Sequence, residues 1–360
     1  MAKIIILLVP VLLFSATEAH AIPLGLYEGL MANSGAALSQ SKASSFYNPS
    51  LLRQREEESI NLGGTSLTSM HSKENGNRVS SAFEFSPSYV SNIIVSETLV
   101  HELFIATTMQ NQLSWSSANS TSQSLSADAY INRLVSGYSM AFQEFPLALQ
   151  VLLRYSEMKM TGSSYTDITD AIYVVNTRAE NKNLSLGLGI STHLNFSNYS
   201  LGVNFNSRGL SVFNQSSGNV KIYAQDPSDP SKIYIHEMPS DTSLINDESK
   251  LIIGHSFRIG VHEFLTDSSF DEKPEDLDRY YFSQSFGYRY GTTQGSQFLC
   301  GLAHRFGSEI SYFTQNLTIS AGYSWKTRQL RSAFGIFYNK DNALADSSLV
   351  ALMFGSEYSY

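Results

Sequence analysis

Three arginines of this sequence are candidates for binding a carboxylate group inside the protein. Arg154, Arg258 and Arg305 each lie among polar residues that alternate with apolar ones. A guanidinium offers paired N–H donors to a carboxylate, so an arginine that lines an enclosed space can hold an acidic head group. Alternatively, these arginines form ion pairs with Glu102 or Glu357 across the same space. Both interpretations predict that the arginines face inward.

Evidence for catalytic chemistry is limited to short fragments. Ser191 and His193 are separated by one residue, and Glu263 directly follows His262. A hydrolase needs serine, histidine and a carboxylate or carboxamide to converge in space, and closeness in sequence does not establish that geometry. We therefore predict that the protein is not an enzyme, with no catalytic residues and no cofactor.

The segment TDSSFDEKPEDLD is strongly acidic. Oxygen ligands of this kind bind Ca²⁺, but their order here does not match a calcium-binding loop. We expect a solvated outer loop over 266–278 without a metal site. Its acidic residues are Asp267, Asp271, Glu272, Glu275, Asp276 and Asp278.

The N-terminus has the pattern of an export signal. Lys3 precedes an apolar stretch over 4–14, and Ala19 and Ala21 form a small-x-small cleavage site. Cys300 is the only cysteine, so the chain has no intramolecular disulfide, and a lipid-anchored N-terminus is not expected. The sequence predicts a signal peptide over 1–21, a separate N-terminal segment over 22–58, and one large domain over 59–360.

Composition favours a membrane barrel for that domain. Charged residues are 16% of the chain, against about a quarter in typical soluble domains. No stretch after the signal approaches the roughly 20 consecutive apolar residues of a spanning helix. These features predict an all-β protein, a transmembrane antiparallel β-barrel, in the outer membrane of a Gram-negative bacterium and surrounded by its lipid. The net charge of −8 argues against a nucleic-acid partner.

The alternation of side chains supports this interpretation. In a membrane barrel, successive residues face lipid and lumen in turn. The segments YSLGVNFNS and LTISAGYSWK alternate bulky apolar residues with glycine, serine, threonine, asparagine or lysine. A soluble β-sandwich also alternates, but its second face would carry more lysine and glutamate.

Fourteen segments alternate in this way, which predicts about fourteen strands within a range of 12–16. Region 207–249 is long where a short turn is expected, so it either contains a hairpin built from NVKIYAQ and SKIYIHE or indicates an error of one strand pair. We interpret 110–128, 157–170, 265–279 and 340–347 as long polar loops. The segments are 59–70, 79–86, 98–109, 129–142, 149–156, 171–178, 184–192, 199–207, 252–262, 280–290, 297–306, 317–326, 330–339 and 348–360.

The last strand carries a pattern of its own. Gly355, Tyr358 and Tyr360 are spaced as in the C-terminal signal that the barrel assembly machinery of the outer membrane reads during insertion. Met353 stands where a polar residue is usual, and the chain ends in tyrosine rather than phenylalanine. We expect Leu352 and the other apolar residues of this strand to face lipid.

The N-terminal segment does not alternate. It is rich in small residues and contains GAALSQSKASSFYNPSLL over 35–52. Asn48-Pro49 indicates a turn, after which Leu51 and Leu52 could pack in a short helix. The alternatives are a disordered leader and a plug inside the barrel mouth.

These residues resemble the FadL-type family of outer-membrane long-chain fatty-acid and hydrocarbon transporters. The family has a hatch with a YNPA-like phrase, matched here by Asn48, Pro49 and Ser50, with serine replacing alanine. The resemblance implies a fourteen-stranded barrel, a plug, and passage of hydrophobic molecules through a lateral opening made by a kinked strand. Pro87 could be that kink or could lie in a turn, since proline cannot donate to a strand ladder.

The function expected from this resemblance is passive uptake of hydrophobic small molecules. Plugged barrels that act as scaffolds in protein secretion share a similar N-terminal phrase, so a structural, adhesive or scaffold role is the alternative. A transporter predicts an apolar pocket and a side exit. A scaffold predicts an exposed apolar patch on its loops.

Overall fold

The structure is a computed structural model. It describes residues 30–32, 34–37, 47–55, 59–74, 77–120, 123–168, 171–226, 229–239, 249–272, 280–291, 295–306, 316–341 and 347–359. The predicted signal peptide over 1–21 lies outside these residues. No helix within these ranges is long and apolar enough to cross a membrane.

Sixteen strands and one short helix make up the described chain. A 3₁₀ helix over Pro49–Gln54 precedes the first strand, with Leu51 and Leu52 buried, as the sequence predicts. The strands are β1 (Ser59–Glu74), β2 (Asn77–Val95), β3 (Leu99–Ser120), β4 (Gln123–Phe142), β5 (Leu147–Ile168), β6 (Ala171–Phe196), β7 (Tyr199–Asn206), β8 (Leu210–Asp226), β9 (Asp229–Pro239), β10 (Lys250–Ile259), β11 (His262–Glu272), β12 (Tyr280–Gly291), β13 (Gln297–Phe306), β14 (Asn316–Thr327), β15 (Leu330–Asp341) and β16 (Ser347–Ser359).

Fourteen of these strands follow one another in a cyclic order. β1 to β7 pair in sequence, β7 pairs with β10, and β10 to β16 continue the antiparallel series. β16 then pairs with β1, and β5 pairs with β6 along its whole length. Every strand of the cycle therefore has two neighbours, which confirms the predicted barrel of about fourteen strands.

The remaining two strands form a hairpin outside the cycle. β6 pairs with β7 through Gly189–Phe196 and with β8 through Tyr173–Leu186, and β9 pairs with β8. The hairpin therefore stands beyond the end of β7, as an extension of the barrel wall. This confirms the hairpin predicted within 207–249.

The strand count is right although two strand assignments are wrong. Segments 171–178 and 184–192 are one strand, β6, because the polar residues between them continue the alternation. Asn181 is buried, while Lys182 on the outer face pairs with Glu180 at 2.8 Å. Conversely, β11 occupies 262–272, most of which is interpreted from sequence as an acidic loop. Two compensating errors leave the count at fourteen.

Two of the other long polar segments are also mostly strand, and most of the third, 340–347, lies outside the described residues. Residues 110–128 belong to the upper parts of β3 and β4, and 157–170 largely to β5. About ten residues suffice to cross the bilayer, whereas β6 has 26. Strands that rise beyond the bilayer contact water and need no apolar face, so their sequences are polar like those of loops.

The outer face of the barrel is apolar. Leu103 and Leu188 are about two-thirds exposed, whereas Glu102 and Ser185 on the same two strands are buried on the opposite face. In the last strand Leu352, Phe354 and Tyr358 point outward while Met353 is buried inside. The exposed apolar residues fit hydrocarbon rather than water as the surrounding solvent.

Candidate functional site

The Asn48-Pro49-Ser50 motif attaches the N-terminal segment to the barrel wall. The Asn48 amide donates to the carbonyl oxygens of Ala36 and Thr192, each at 2.9 Å. Its Oδ1 accepts from the Ser50 amide at 3.1 Å and so caps the 3₁₀ helix. The same Ser50 amide lies 3.0 Å from Ser191 Oγ on β6. We call the described residues 30–37 and 47–55 the hatch, because they pack inside the barrel.

Inward-facing glycines receive the backbone of the hatch. A Cβ on Gly301 would lie 2.5 Å from the Ala32 nitrogen, and one on Gly254 would lie 2.8 Å from Ala36 Cβ. No side chain larger than hydrogen fits these positions without a shift of the hatch. The glycines stand directly opposite one another across paired strands, as Gly202 with Gly254, Gly287 with Gly301, and Gly322 with Gly335.

Asp267 holds the hatch from within this glycine surface, since it stands directly opposite Gly254 across paired strands. Its Oδ2 accepts hydrogen bonds from the backbone amides of Gly35 at 2.7 Å and Ala36 at 2.8 Å. The prediction that Asp267 lies in a solvated loop is wrong. Phe264 and Phe270 on the same strand point outward, so the odd-numbered Asp267 points inward. The period-2 pattern of EFLTDSSF was the signal that could have identified it.

The strand pairing of the barrel is interrupted between β2 and β3. The pairing runs without a break from Val95 opposite Val100 to Tyr89 opposite Ala106. The two strands pair again, in the same register, where Ser80 stands opposite Trp115. Between these points residues 81–88 and 107–114 form no pairs with each other, although β2 still pairs with β1 and β3 with β4. We call this stretch the interval. It begins beside Val90 and Ile105, which are exposed on the apolar outer face.

Pro87 lies within the interval. It is inside β2 and opposite Thr65 of β1, so the interpretation as a turn before the next strand is wrong. Proline has no N–H to donate to a strand ladder, so it fits a strand position where pairing with one neighbour is missing. A bulge in β3 between Thr107 and Met109, where its pairing with β4 shifts, lies on the other side of the interval.

Apolar side chains cover the inner wall below the interval. Phe104, Ala106 and Leu152 form one buried cluster, with Val135 packed against it. Nearer the end where the chain enters β1, Leu52 of the hatch packs with Ile93, Val100, Ala141 and Ala148. Leu52 of the hatch therefore lies below the apolar cluster, and the interval lies above it.

The three arginines have different surroundings. Arg154 donates to the Ser207 carbonyl at 3.3 Å, and Arg258 pairs with Glu263 at 3.2 Å. The side chain of Glu357, one of the two predicted partners, lies outside the described residues. Glu263 also pairs with the buried Arg289, a partner that the sequence analysis did not identify. The side chain of Arg305 lies outside the described residues. None of the described arginine contacts brings the three together into one site.

The candidate catalytic fragments do not form a catalytic arrangement. Ser191 contacts the hatch, and His193 Nδ1 lies 3.0 Å from the Gln54 amide. His262 and Glu263 face opposite sides of β11, because His262 contacts the Tyr288 hydroxyl on the outer face while Glu263 is buried inside. Among the described residues no group of three or more histidines, cysteines or acidic residues could hold a metal ion.

Comparison with solved structures identifies the fold. A deltaS2 mutant of the TodX monoaromatic hydrocarbon channel matches at TM-score 0.73 and 11% identity, over 95% of this chain and all of that one. The toluene transporter TodX of Pseudomonas putida matches at 0.68 and 10%, over 94% and 99%. A Pseudomonas aeruginosa FadL homologue matches at 0.66 and 10%, also over 94% and 99%.

The chain has the fold of the FadL-type channels. No protein-family model and no curated protein matches the sequence, so the FadL-type fold is established by structure at very low identity. The resemblance seen around Asn48-Pro49-Ser50 is therefore confirmed at the level of the fold.

Proposed function

We propose that this protein is an outer-membrane channel for the passive uptake of hydrophobic small molecules. Such molecules would enter the lumen from outside the cell and leave sideways into the membrane through the interval. The hatch would keep them from the periplasmic end. No covalent chemistry is needed, because partition from water into hydrocarbon drives the movement.

The observation that carries the proposal is the interruption between β2 and β3. In hydrocarbon an unpaired backbone N–H or C=O costs several kcal/mol, so barrels close fully except where backbone lines a cavity. Here eight residues on each strand do not pair with each other, over a stretch that begins within the apolar outer face and continues into the upper parts of both strands. An opening at that place would connect an apolar inner wall with the lipid.

The solved structures support the class of substrate. Those with the same fold are described as a monoaromatic hydrocarbon channel, a toluene transporter and a FadL homologue. Long-chain fatty acids and aromatic hydrocarbons are the two substrate classes that we propose. We propose that Arg154, which faces the lumen, meets the carboxylate of a fatty acid.

Uptake by cells tests the proposal. A Gram-negative host that lacks hydrophobic-solute channels would be given labelled toluene or labelled oleate, with and without this protein. We expect faster uptake of at least one of them, and altered uptake by a variant lacking 33–50 that still forms a heat-modifiable barrel. Uptake equal to that of the host without the protein would contradict the proposal.

The hairpin β8–β9 supports a second candidate function. Ile233 and Ile235 are about two-thirds exposed on one face of β9, and Tyr234 is exposed on the other. Exposed apolar residues on an outer projection are what a scaffold or adhesin would present to a protein partner. A variant without the hairpin that retains normal uptake but loses binding to a partner protein would support this function.

A further inference from the structure

The inner wall carries a feature that bears on which molecules can use the interval. Phe104 of β3 stands directly opposite Gly137 of β4 and is almost completely buried. A Cβ on Gly137 would lie 2.6 Å from Phe104 Cε1 and 3.0 Å from Leu152 Cδ2. The Phe104 ring therefore lies over β4 at Gly137 and reaches Leu152 of β5.

The position of this ring is defined by the strand register. Ala106 and Tyr89 are the last paired residues before the interval, and Phe104 is two residues further down the same face of β3. Below Phe104, Leu52 of the hatch and Ile93 belong to the next apolar cluster. The ring thus lies between the hatch and the lower edge of the interval.

We propose that Phe104, seated on Gly137, is the floor of the lateral exit and sets the width of molecule that can leave through it. This rests on the proposed function. A molecule that descends the lumen meets the ring, Leu152 and Ala106, and can go no further because the hatch fills the space below. Its remaining path is over the ring and through the interval. The position of the Phe104 ring therefore determines how wide a molecule can pass over it.

Two substitutions change the floor in opposite directions. Phe104→Ala removes the ring and lowers the floor. Gly137→Ala adds a methyl group where the ring now lies, so that the ring must move away from β4 and into the lumen. A purely structural role for this packing predicts that both changes impair the protein. A role as the floor predicts that Phe104→Ala increases the uptake of wide molecules and that Gly137→Ala decreases it.

The experiment measures uptake of toluene and of the wider 1,3,5-triethylbenzene by cells that express each variant. We expect the ratio of wide to narrow uptake to rise with Phe104→Ala and to fall with Gly137→Ala, each by roughly tenfold, the order that one methylene can change discrimination in an apolar site. Phe104→Leu is expected to shift the ratio in the same direction as alanine but less. Phe104→Leu replaces Phe104→Ala in the experiment if the alanine variant does not form a heat-modifiable barrel.

Matched controls lie elsewhere on the inner wall. Phe337 is equally buried on β15, and a Cβ on Gly187 would approach only the end of the Arg154 side chain, at 3.0 Å. Phe337→Ala and Gly187→Ala should leave the ratio unchanged. Suppose that the wild-type protein takes up toluene but the Phe104 and Gly137 variants shift the ratio in the same direction or not at all. The proposed role of Phe104 is then contradicted, while the proposed channel function is not. If the wild-type protein takes up neither solute, the channel itself fails.

Discussion

Two walls of this barrel face the same lumen and are built differently. The wall of β7 and β10–β15 carries the glycines and Asp267, and it contacts the hatch backbone directly. The wall of β2–β5 carries bulky apolar side chains, and its pairing is interrupted between β2 and β3. We call them the hatch wall and the exit wall. Both walls contact the hatch, the hatch wall through glycines against its backbone and the exit wall through Leu52. The exit wall differs in its interrupted strand pairing, where we propose the passage.

The largest effect is expected from filling the hatch wall. Gly301→Ala and Gly254→Ala together place two methyl groups against the hatch backbone and Ala36. Overpacking costs roughly 1–3 kcal/mol per site and distant sites add, so the double variant should lose about 2–6 kcal/mol in free energy of unfolding. Urea unfolding of the barrel in lipid vesicles measures this loss, with Gly187→Ala as the control.

A stability loss equal to that of Gly187→Ala would contradict close packing of the hatch wall. An alternative measurement is protease cleavage within the hatch. Cleavage should be faster in the double variant and unchanged in the control, since only the double variant displaces the hatch.

An effect of the same order is expected from Asp267. Asp267→Ala leaves the Gly35 and Ala36 amides without their acceptor, and each unsatisfied buried donor costs about 1–3 kcal/mol. Asp267→Asn keeps one acceptor oxygen and should retain part of the stability. Protease accessibility of the hatch should follow the order wild type, asparagine, alanine. Equal protection in all three proteins would show that the carboxylate does not hold the hatch.

The smallest effect is expected from removing the hairpin. Replacing 209–248 with a short glycine-serine linker leaves every strand of the fourteen-stranded cycle with both neighbours. We expect a heat-modifiable barrel with an unfolding midpoint close to that of the wild type. Failure of this variant to insert into the outer membrane would mean that the barrel needs β8 and β9. That result would contradict the assignment of the hairpin as a projection outside the fourteen-stranded cycle.

The sequence predicts the hatch wall and the exit wall to different extents. Alternation identifies most strands because lipid and lumen impose opposite requirements on neighbouring residues. It fails at the tall strand β6, where both faces are polar above the bilayer, and at β11, where the acidic residues resemble a loop. The hatch motif is visible because Asn48 and Pro49 have local backbone roles.

The contacts that form the site were not predictable from the sequence. Gly301 meets Ala32, and Asp267 meets Gly35 and Ala36, across more than 200 residues of chain. Their closeness depends on which strands pair and in what register. The interval between β2 and β3 has no sequence signal beyond Pro87, because an absent hydrogen bond leaves no residue pattern of its own.

Cross-linking across the interval tests the central claim most directly. In a Cys300→Ser background, cysteines replace Glu84 and Asn111, which the register places opposite each other in the interval, or Val90 and Ile105, which are paired just below it. Paired positions have Cβ atoms about 4.5–5.5 Å apart, within reach of a disulfide or a short bifunctional reagent. We predict that the 90/105 pair cross-links in intact membranes and that the 84/111 pair does not. Cross-linking of 84/111 as complete as that of 90/105 would show that the wall is closed and would contradict the account.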